Sequence, residues 1–277
     1  MTKTWLITGC SSGFGRILSE AVLARGDNVV VTARDARTVQ PLADAYPDRA
    51  LAAALDVTRP GDAAGVAAQA EARFGSLDVL VNNAGFGFMG AVEESQPDEY
   101  RPMFETNLFG LIETTRAALP ALRRSGGGGR IVNLSSVGGI TGRMGFGLYN
   151  ASKFAVEGLS EALAEEVEPL GLKVIIVEPG AFRTDFLGRS ISAARTRLDA
   201  YEQTSGRTRD FSQTNDGQQP GDPVRAMNVL MQAVDSPSPP LRLPLGQDAY
   251  ARIRSKLSQI ESDLQIWEAA AVATGFA

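Results

Sequence analysis

The sequence predicts an α/β protein, a doubly wound parallel sheet with helices on both faces. Three observations predict it. Short β-branched runs alternate with longer stretches of helical periodicity over most of the chain. Runs such as Val174-Ile175-Ile176-Val177 are apolar throughout instead of alternating, as expected of strands buried on both faces. The first strand-like run also breaks into glycines immediately before the first helical stretch.

In order, a strand over 5–8 leads into a helix over 16–25 that sets Ile17, Ala21 and Ala24 on one face. A second strand covers 28–33 and a weaker third 50–55, followed by a helix over 63–74 and a fourth strand over 77–81. A long helix runs from about 103 to 124. The glycines of 126–129 read as a flexible connection to the fifth strand, 130–134. A helix over 149–170 and a sixth strand over 172–177 complete a series of right-handed βαβ units.

Two later stretches differ. Residues 181–223 are polar and carry six arginines between Arg183 and Arg209. They read as a lid leaving the sheet, a solvated helix face whose charges Asp185, Asp199, Glu202 and Asp210 offset. After Pro237, Pro239 and Pro240, a helical extension over about 247–272 spaces Tyr250, Ile253, Leu257, Ile260, Leu264 and Trp267 at 3-4-3-4-3. That stripe suits packing on the chain's own sheet or a subunit contact. No repeat or second domain interrupts 1–277.

Composition narrows the chemistry. A net charge of −5 argues against nucleic acid as the main partner. The chain has no histidine, which excludes Ser-His-Asp and Cys-His catalysis and histidine-ligated metal sites. Cys10 is the one cysteine, so an intrachain disulfide or thiolate cluster is impossible. Proton transfer must use Tyr, Lys, Asp, Glu or Cys. No run approaches the ~18 apolar residues of a membrane span, and the start shows no signal-peptide core, so a cytoplasmic enzyme is expected.

Three motifs carry chemistry. Thr8-Gly9-Cys10-Ser11-Ser12-Gly13-Phe14-Gly15 lies between strand and helix, where glycines let backbone approach a pyrophosphate and the helix N-terminus supplies N–H donors. The second strand ends in Thr32-Ala33-Arg34, without the acid that binds a ribose 2′-hydroxyl. Arg34 can instead clamp a 2′-phosphate, worth about 1.5–3 kcal/mol, which favours NADP(H) over NAD(H). Tyr149 and Lys153 share a helix face at i and i+4. Bringing a phenol from pKa ~10 to 7 takes about 4 kcal/mol, the attraction of one cation ~4 Å away at an effective dielectric of about 20.

With these residues the chain resembles the short-chain dehydrogenase/reductase family, in particular its NADP-preferring hydroxysteroid dehydrogenase and carbonyl reductase-like members. Asn82-Asn83-Ala84-Gly85, Asn107, Ser136 and Pro179-Gly180 with Thr184 are similar to further motifs of that family, in the same order, over about residues 3–190. The resemblance implies a Rossmann sheet of about seven strands and hydride transfer between NAD(P) and a carbonyl or alcohol. Tyr149 would exchange a proton with the substrate oxygen, Lys153 would lower the phenol pKa and hold the nicotinamide ribose, Ser136 would bond the substrate oxygen, and Asn107 would anchor a water of the proton relay. The cofactor would also meet Gly9, Ser11, Ser12, Gly13, Phe14, Gly15, Arg34, Asp56, Val57, Asn83, Ala84, Gly85, Pro179, Gly180 and Thr184. Ser136, Val137, Met144, Phe146, Phe182 and Phe186 would wall a pocket for a hydrophobic ketone or alcohol. A homo-dimer or homo-tetramer is expected from the family. The alternative reading is a non-catalytic NADP-binding sensor or scaffold.

Overall fold

Apolar strands that cannot face water on either side have to be covered twice, and the computed structural model, which describes residues 2–126 and 128–276, has that layered arrangement. Gly127, within the 126–129 connection, lies outside the described residues. The elements are β1 (Thr4–Ile7), α1 (Gly13–Ala24), β2 (Asn28–Ala33), α2 (Gln40–Ala45), β3 (Ala50–Ala54), α3 (Asp62–Phe74), β4 (Val79–Asn82), β5 (Gly87–Met89) and α4 (Pro97–Phe104). They continue with α5 (Gly110–Arg124), β6 (Arg130–Leu134), α6 (Gly147–Val167), β7 (Lys173–Pro179), β8 (Ile191–Ala193), α7 (Arg207–Asn215), α8 (Pro223–Asp235), β9 (Arg242–Leu245) and α9 (Gln247–Ala271).

Seven strands form a parallel sheet in the order β3-β2-β1-β4-β6-β7-β9, and β5 pairs with β8 apart from it. Successive residues of one strand serve opposite layers. Ile7, Val29 and Val31 pack under α1 and α8 with Leu18, Val22, Leu230 and Val234. Leu6, Val30 and Leu80 pack under α3, α5 and α6 with Val66, Ala70, Leu122 and Leu163. Each fully buried side chain of this kind contributes about 1.5–3 kcal/mol.

The architecture matches the doubly wound sheet expected from sequence, with three local differences. The helical stretch expected from about 103 to 124 is continuous but begins earlier, at Pro97, and carries a π-helical turn, Glu105–Phe109, between α4 and α5. The strand β9 was hidden by Pro244, which a sheet edge tolerates because its missing N–H breaks no central ladder. The helix α8, which no sequence signal singled out, opens at Pro223, with Asp222 accepting from the Val224 and Arg225 N–H groups.

After β7 the chain carries β8 and α7 before α8 begins, and the arginines of that stretch are not simply a solvated face. Arg209 is buried and donates to Glu94 at 2.7 and 3.4 Å. Glu94 also accepts from the backbone of Ala91 and Leu198 and from Ser205. Burial pushes the Glu94 carboxyl up, yet these donors outweigh it and hold the group down at about 2. Arg195 pairs with Asp98 and Glu99 on α4, and Arg189 with Asp185. Asp199, Glu202 and Asp210, expected to offset the run, make no ion pair among the described residues. The segment after β7 is therefore anchored to the body by acids outside it.

The stripe of α9 does not pack on the chain's own sheet. Ala249 is the buried residue of that helix, and Tyr250, Leu257, Ile260, Leu264 and Trp267 are exposed. No helix among the described residues is long and apolar enough to cross a membrane.

Replacing Arg209 by Met is expected to strand a buried carboxylate and cost about 3–5 kcal/mol. Chemical denaturation measures this; a loss below about 1 kcal/mol would mean that the pair is not what seats that segment.

Candidate active site

The strand order reverses between β1 and β4, so the connections leaving their C-terminal ends diverge and open a crevice there. Two side chains tie those ends together. The Thr8 hydroxyl accepts from the Asn83 and Ala84 N–H groups at 2.9 Å each. The Asn83 amide donates to the carbonyls of Thr8 and Gly9 at 2.8 and 3.0 Å. Gly9 has φ +73°, and a Cβ on Gly15 would lie 2.5 Å from the Asn83 amide nitrogen and against the Gly9 carbonyl. The glycine spacing is thus required by a close approach of loop, helix and Asn83.

Ser12 caps α1 without a side-chain bond, and the first turn holds no acid. Its N–H groups therefore offer a site to an anion. They border a cavity of about 1600 Å³, larger than the roughly 300–1,000 Å³ of a drug-sized pocket. Gly9, Ser11, Ser12, Gly13 and Phe14 line it from the glycine loop, Arg34 from the end of β2, and Asp56 and Val57 from beyond β3. Asn83, Ala84 and Gly85 line it after β4, and Pro179, Gly180 and Thr184 at and after the end of β7. Gly15 is buried behind the loop and is not on the wall.

Arg34 is exposed on the cavity and has no ion-pair partner within 4 Å among the described residues. The neighbouring Asp35 is clamped by Arg37 at 2.8 and 2.9 Å, which holds its carboxyl below the usual range. Asp56 accepts from the hydroxyl and N–H of Thr58 at 2.7 and 3.0 Å, and these bonds pull its carboxyl down as well.

The reactive side chains converge on the same cavity. Ser136 follows β6 and caps the short 3-10 turn Val137–Gly139, its hydroxyl accepting from the Gly138 N–H at 3.0 Å. Tyr149, in the first turn of α6, is buried, and Ser136 shares its cavity wall. Burial pushes its phenol up to about 12, against the nearby Ser136 hydroxyl, which pulls it down. Burial likewise pushes the Lys153 ammonium down to about 8, against the attraction of Glu157 one turn further along.

The Lys153 Nζ sits 6.0 Å from the Tyr149 ring centroid and donates to the Leu134 carbonyl at 2.7 Å. A buried ammonium needs an acceptor, and the end of β6 supplies one. Asn107 is not on the cavity wall. It lies in the π-helical turn, where its amide brackets Phe86, donating to the Phe86 carbonyl at 2.9 Å and accepting from the Phe86 N–H at 3.0 Å.

Val137, Phe146 and Phe186 line the cavity, with the Phe186 and Phe146 rings 5.7 and 6.2 Å from the Tyr149 ring; Phe182 also lines it, but packs against Phe14 of the glycine loop, ring centroids 5.5 Å apart. Met144 does not line it. Its side chain is exposed because its carbonyl is turned inward to accept from Thr208 on α7, at 3.0 Å. Phe88 and Met89 are core residues. Cys10 is buried and pushed up to about 11, which leaves it protonated and bonded to the Ile7 carbonyl.

Sequence reasoning missed Asp248. From the first turn of α9 it accepts from the Ala181 N–H at 2.9 Å and occupies the space a Cβ on Gly180 would need. No spacing rule connects residue 248 with the Pro179-Gly180 turn.

A family model described as short chain dehydrogenase matches residues 3–194. Oxidoreductase BOA17 of Botryotinia fuckeliana is 36% identical over 250 residues, 90% of each chain. A solved short-chain dehydrogenase from Streptomyces avermitilis is 45% identical, covers 100% of both chains and superposes with a TM-score of 0.92. A short chain dehydrogenase/reductase from Burkholderia phymatum, solved in complex with NAD, is 25% identical over 95% of each chain with a TM-score of 0.82.

Proposed function

The chain belongs to the short-chain dehydrogenase family, and on that basis we propose that it is an NADP(H)-dependent oxidoreductase interconverting a hydrophobic ketone and its secondary alcohol. One observation carries the reading: Ser136 and the buried Tyr149–Lys153 pair open on the same large cavity as a glycine loop at an unoccluded helix N-terminus. A dinucleotide fits the residues present. The α1 N-terminus and the loop would hold its pyrophosphate, Asp56 and Val57 its adenine, and Lys153 with Tyr149 the nicotinamide ribose. Asn83, Ala84, Gly85, Pro179, Gly180 and Thr184 would flank the nicotinamide end.

Arg34 supports a preference for NADP(H). It is an unpaired guanidinium where a 2′-phosphate would need one, and the adjacent carboxylate is already spent on Arg37.

When bound, the cofactor supplies or accepts the hydride. The chain's own residues handle the oxygen. Ser136 and Tyr149 hydrogen-bond the substrate oxygen, and Tyr149 gives up its proton as charge develops there. A phenol held at about 12 is protonated at neutral pH yet more acidic than the alcohol it creates, which suits it to donate in the reductive direction. Lys153 stabilises the phenolate left behind. Asn107 seats Phe86 against the cavity and would connect the site to the water of the relay. Val137, Phe146, Phe182 and Phe186 favour an apolar substrate. A protein that merely bound NADP could use Lys153 on the ribose, but it would have no need of a buried phenol sharing a cavity wall with Ser136. The same reading makes the enzyme a cytoplasmic homo-oligomer.

Tyr149→Phe is expected to abolish NADPH oxidation over a panel of aliphatic, aryl, steroid and sugar ketones while NADPH still binds through the glycine loop, Arg34 and Lys153; unchanged turnover would refute the role. The pH profile gives a second check. Lys153 is charged below about 8 and neutral above it, so the reductive rate should be level at lower pH and fall as pH rises through about 8. A rate still level beyond pH 9 would overturn the part given to Lys153. Arg34→Asp should shift the NADPH/NADH ratio of kcat/KM toward NADH by up to about a hundredfold. An unaltered ratio would remove Arg34 from the site.

A further inference from the structure

The helix α9 has 25 residues, about 37 Å of length, and only its first turns touch the body. Ala249 is buried, Asp248 holds Ala181, and Arg252 reaches the Thr141 hydroxyl. From Leu257 onward every described residue is exposed, Leu257 to 58%, Leu264 to 61% and Trp267 to 68%. A helix that carries large apolar side chains at coiled-coil spacing and lays them on nothing is unexplained by the fold of one chain.

We propose that α9 is a self-association element: two copies of this chain pair their α9 helices antiparallel, centred between Leu257 and Ile260. The charges beside the seam select both the occupant and the direction. With Tyr250, Leu257 and Leu264 at a and Ile253, Ile260 and Trp267 at d, the e positions hold Arg254, Glu261 and Glu268, and the g positions include Lys256 and Asp263. Antiparallel packing sets e against e and g against g. Arg254 then meets Glu261 of the second copy and Lys256 meets Asp263 of the second copy, each twice by the two-fold axis. No like charges oppose one another.

Parallel packing sets each g against the e five residues on. Lys256 would still meet Glu261, but Asp263 would face Glu268, so attraction and repulsion offset. In the antiparallel register the seam also matches, with Tyr250 on Trp267, Ile253 on Leu264 and Leu257 on Ile260. A basic first half and an acidic second half on one helix complement a reversed copy of the same helix, and an unrelated apolar groove would have no need of that symmetry. The proposal is independent of the oxidoreductase reading.

The test measures the mass of the full chain by sedimentation velocity and light scattering. Leu257→Asp with Ile260→Asp should halve it, to a monomer, or to a dimer if the chains also meet through another face. Arg254→Glu with Lys256→Glu should halve it too, and adding Glu261→Lys and Asp263→Lys should restore it. Direction is read separately: chains carrying Ile253→Cys mixed with chains carrying Leu264→Cys should form an intermolecular disulfide that neither forms alone. A monomeric wild-type chain, an unchanged mass in the folded double-Asp variant, or self-crosslinking of Ile253→Cys alone would overturn the proposal.

Discussion

Everything at the crevice depends on the seam between the C-terminal ends of β1 and β4. Thr8 and Asn83 exchange bonds across it, so the glycine loop and the Asn83-Ala84-Gly85 turn hold each other in place. The glycines at 9 and 15 follow from that closeness, since a Cβ on either would meet the opposing turn or the loop itself. Once the loop is set, α1 starts with its N–H groups toward the cavity and then runs back along the sheet, where Leu18 and Val22 bury it. The binding surface is a by-product of how two strands are joined.

Burial sets the chemistry in both the site and the anchor of the segment after β7, with opposite results. Glu94 is as deep as Tyr149, yet Arg209, two backbone N–H groups and a serine keep it charged. Tyr149 has Ser136 alone to offset desolvation, so its proton is held firmly until charge appears on a neighbouring oxygen. Lys153 lies between these cases, with one carbonyl bond and a carboxylate one turn away. A structural group is surrounded by donors; a group meant to exchange a proton is left partly unsupported.

Six of the seven sheet strands were legible because central parallel strands, buried on both faces, are largely apolar, and such runs are conspicuous. The tyrosine and lysine were legible for a different reason, since four residues on a helix is one turn and the pair must share a face. Met144 was misread because its neighbours in the chain are pocket residues, whereas the bond from Thr208 turns its backbone inward and its side chain out. Glu94 with Arg209, and Asp248 with Ala181, were invisible because each pairing joins residues far apart in sequence.

The sequence by itself determined the layered α/β class, the glycine loop, the absence of histidine chemistry and the residue types available for proton transfer. These follow from periodicity, composition and contacts within a few residues. Only the tertiary structure decided where the Lys153 ammonium rests, which wall residues face the cavity, how the segment after β7 is anchored and that the α9 stripe faces away from its own sheet. Those outcomes turn on which distant backbone carbonyl, carboxylate or surface arrives beside a side chain, and that is set by packing of the whole chain and not by any local pattern.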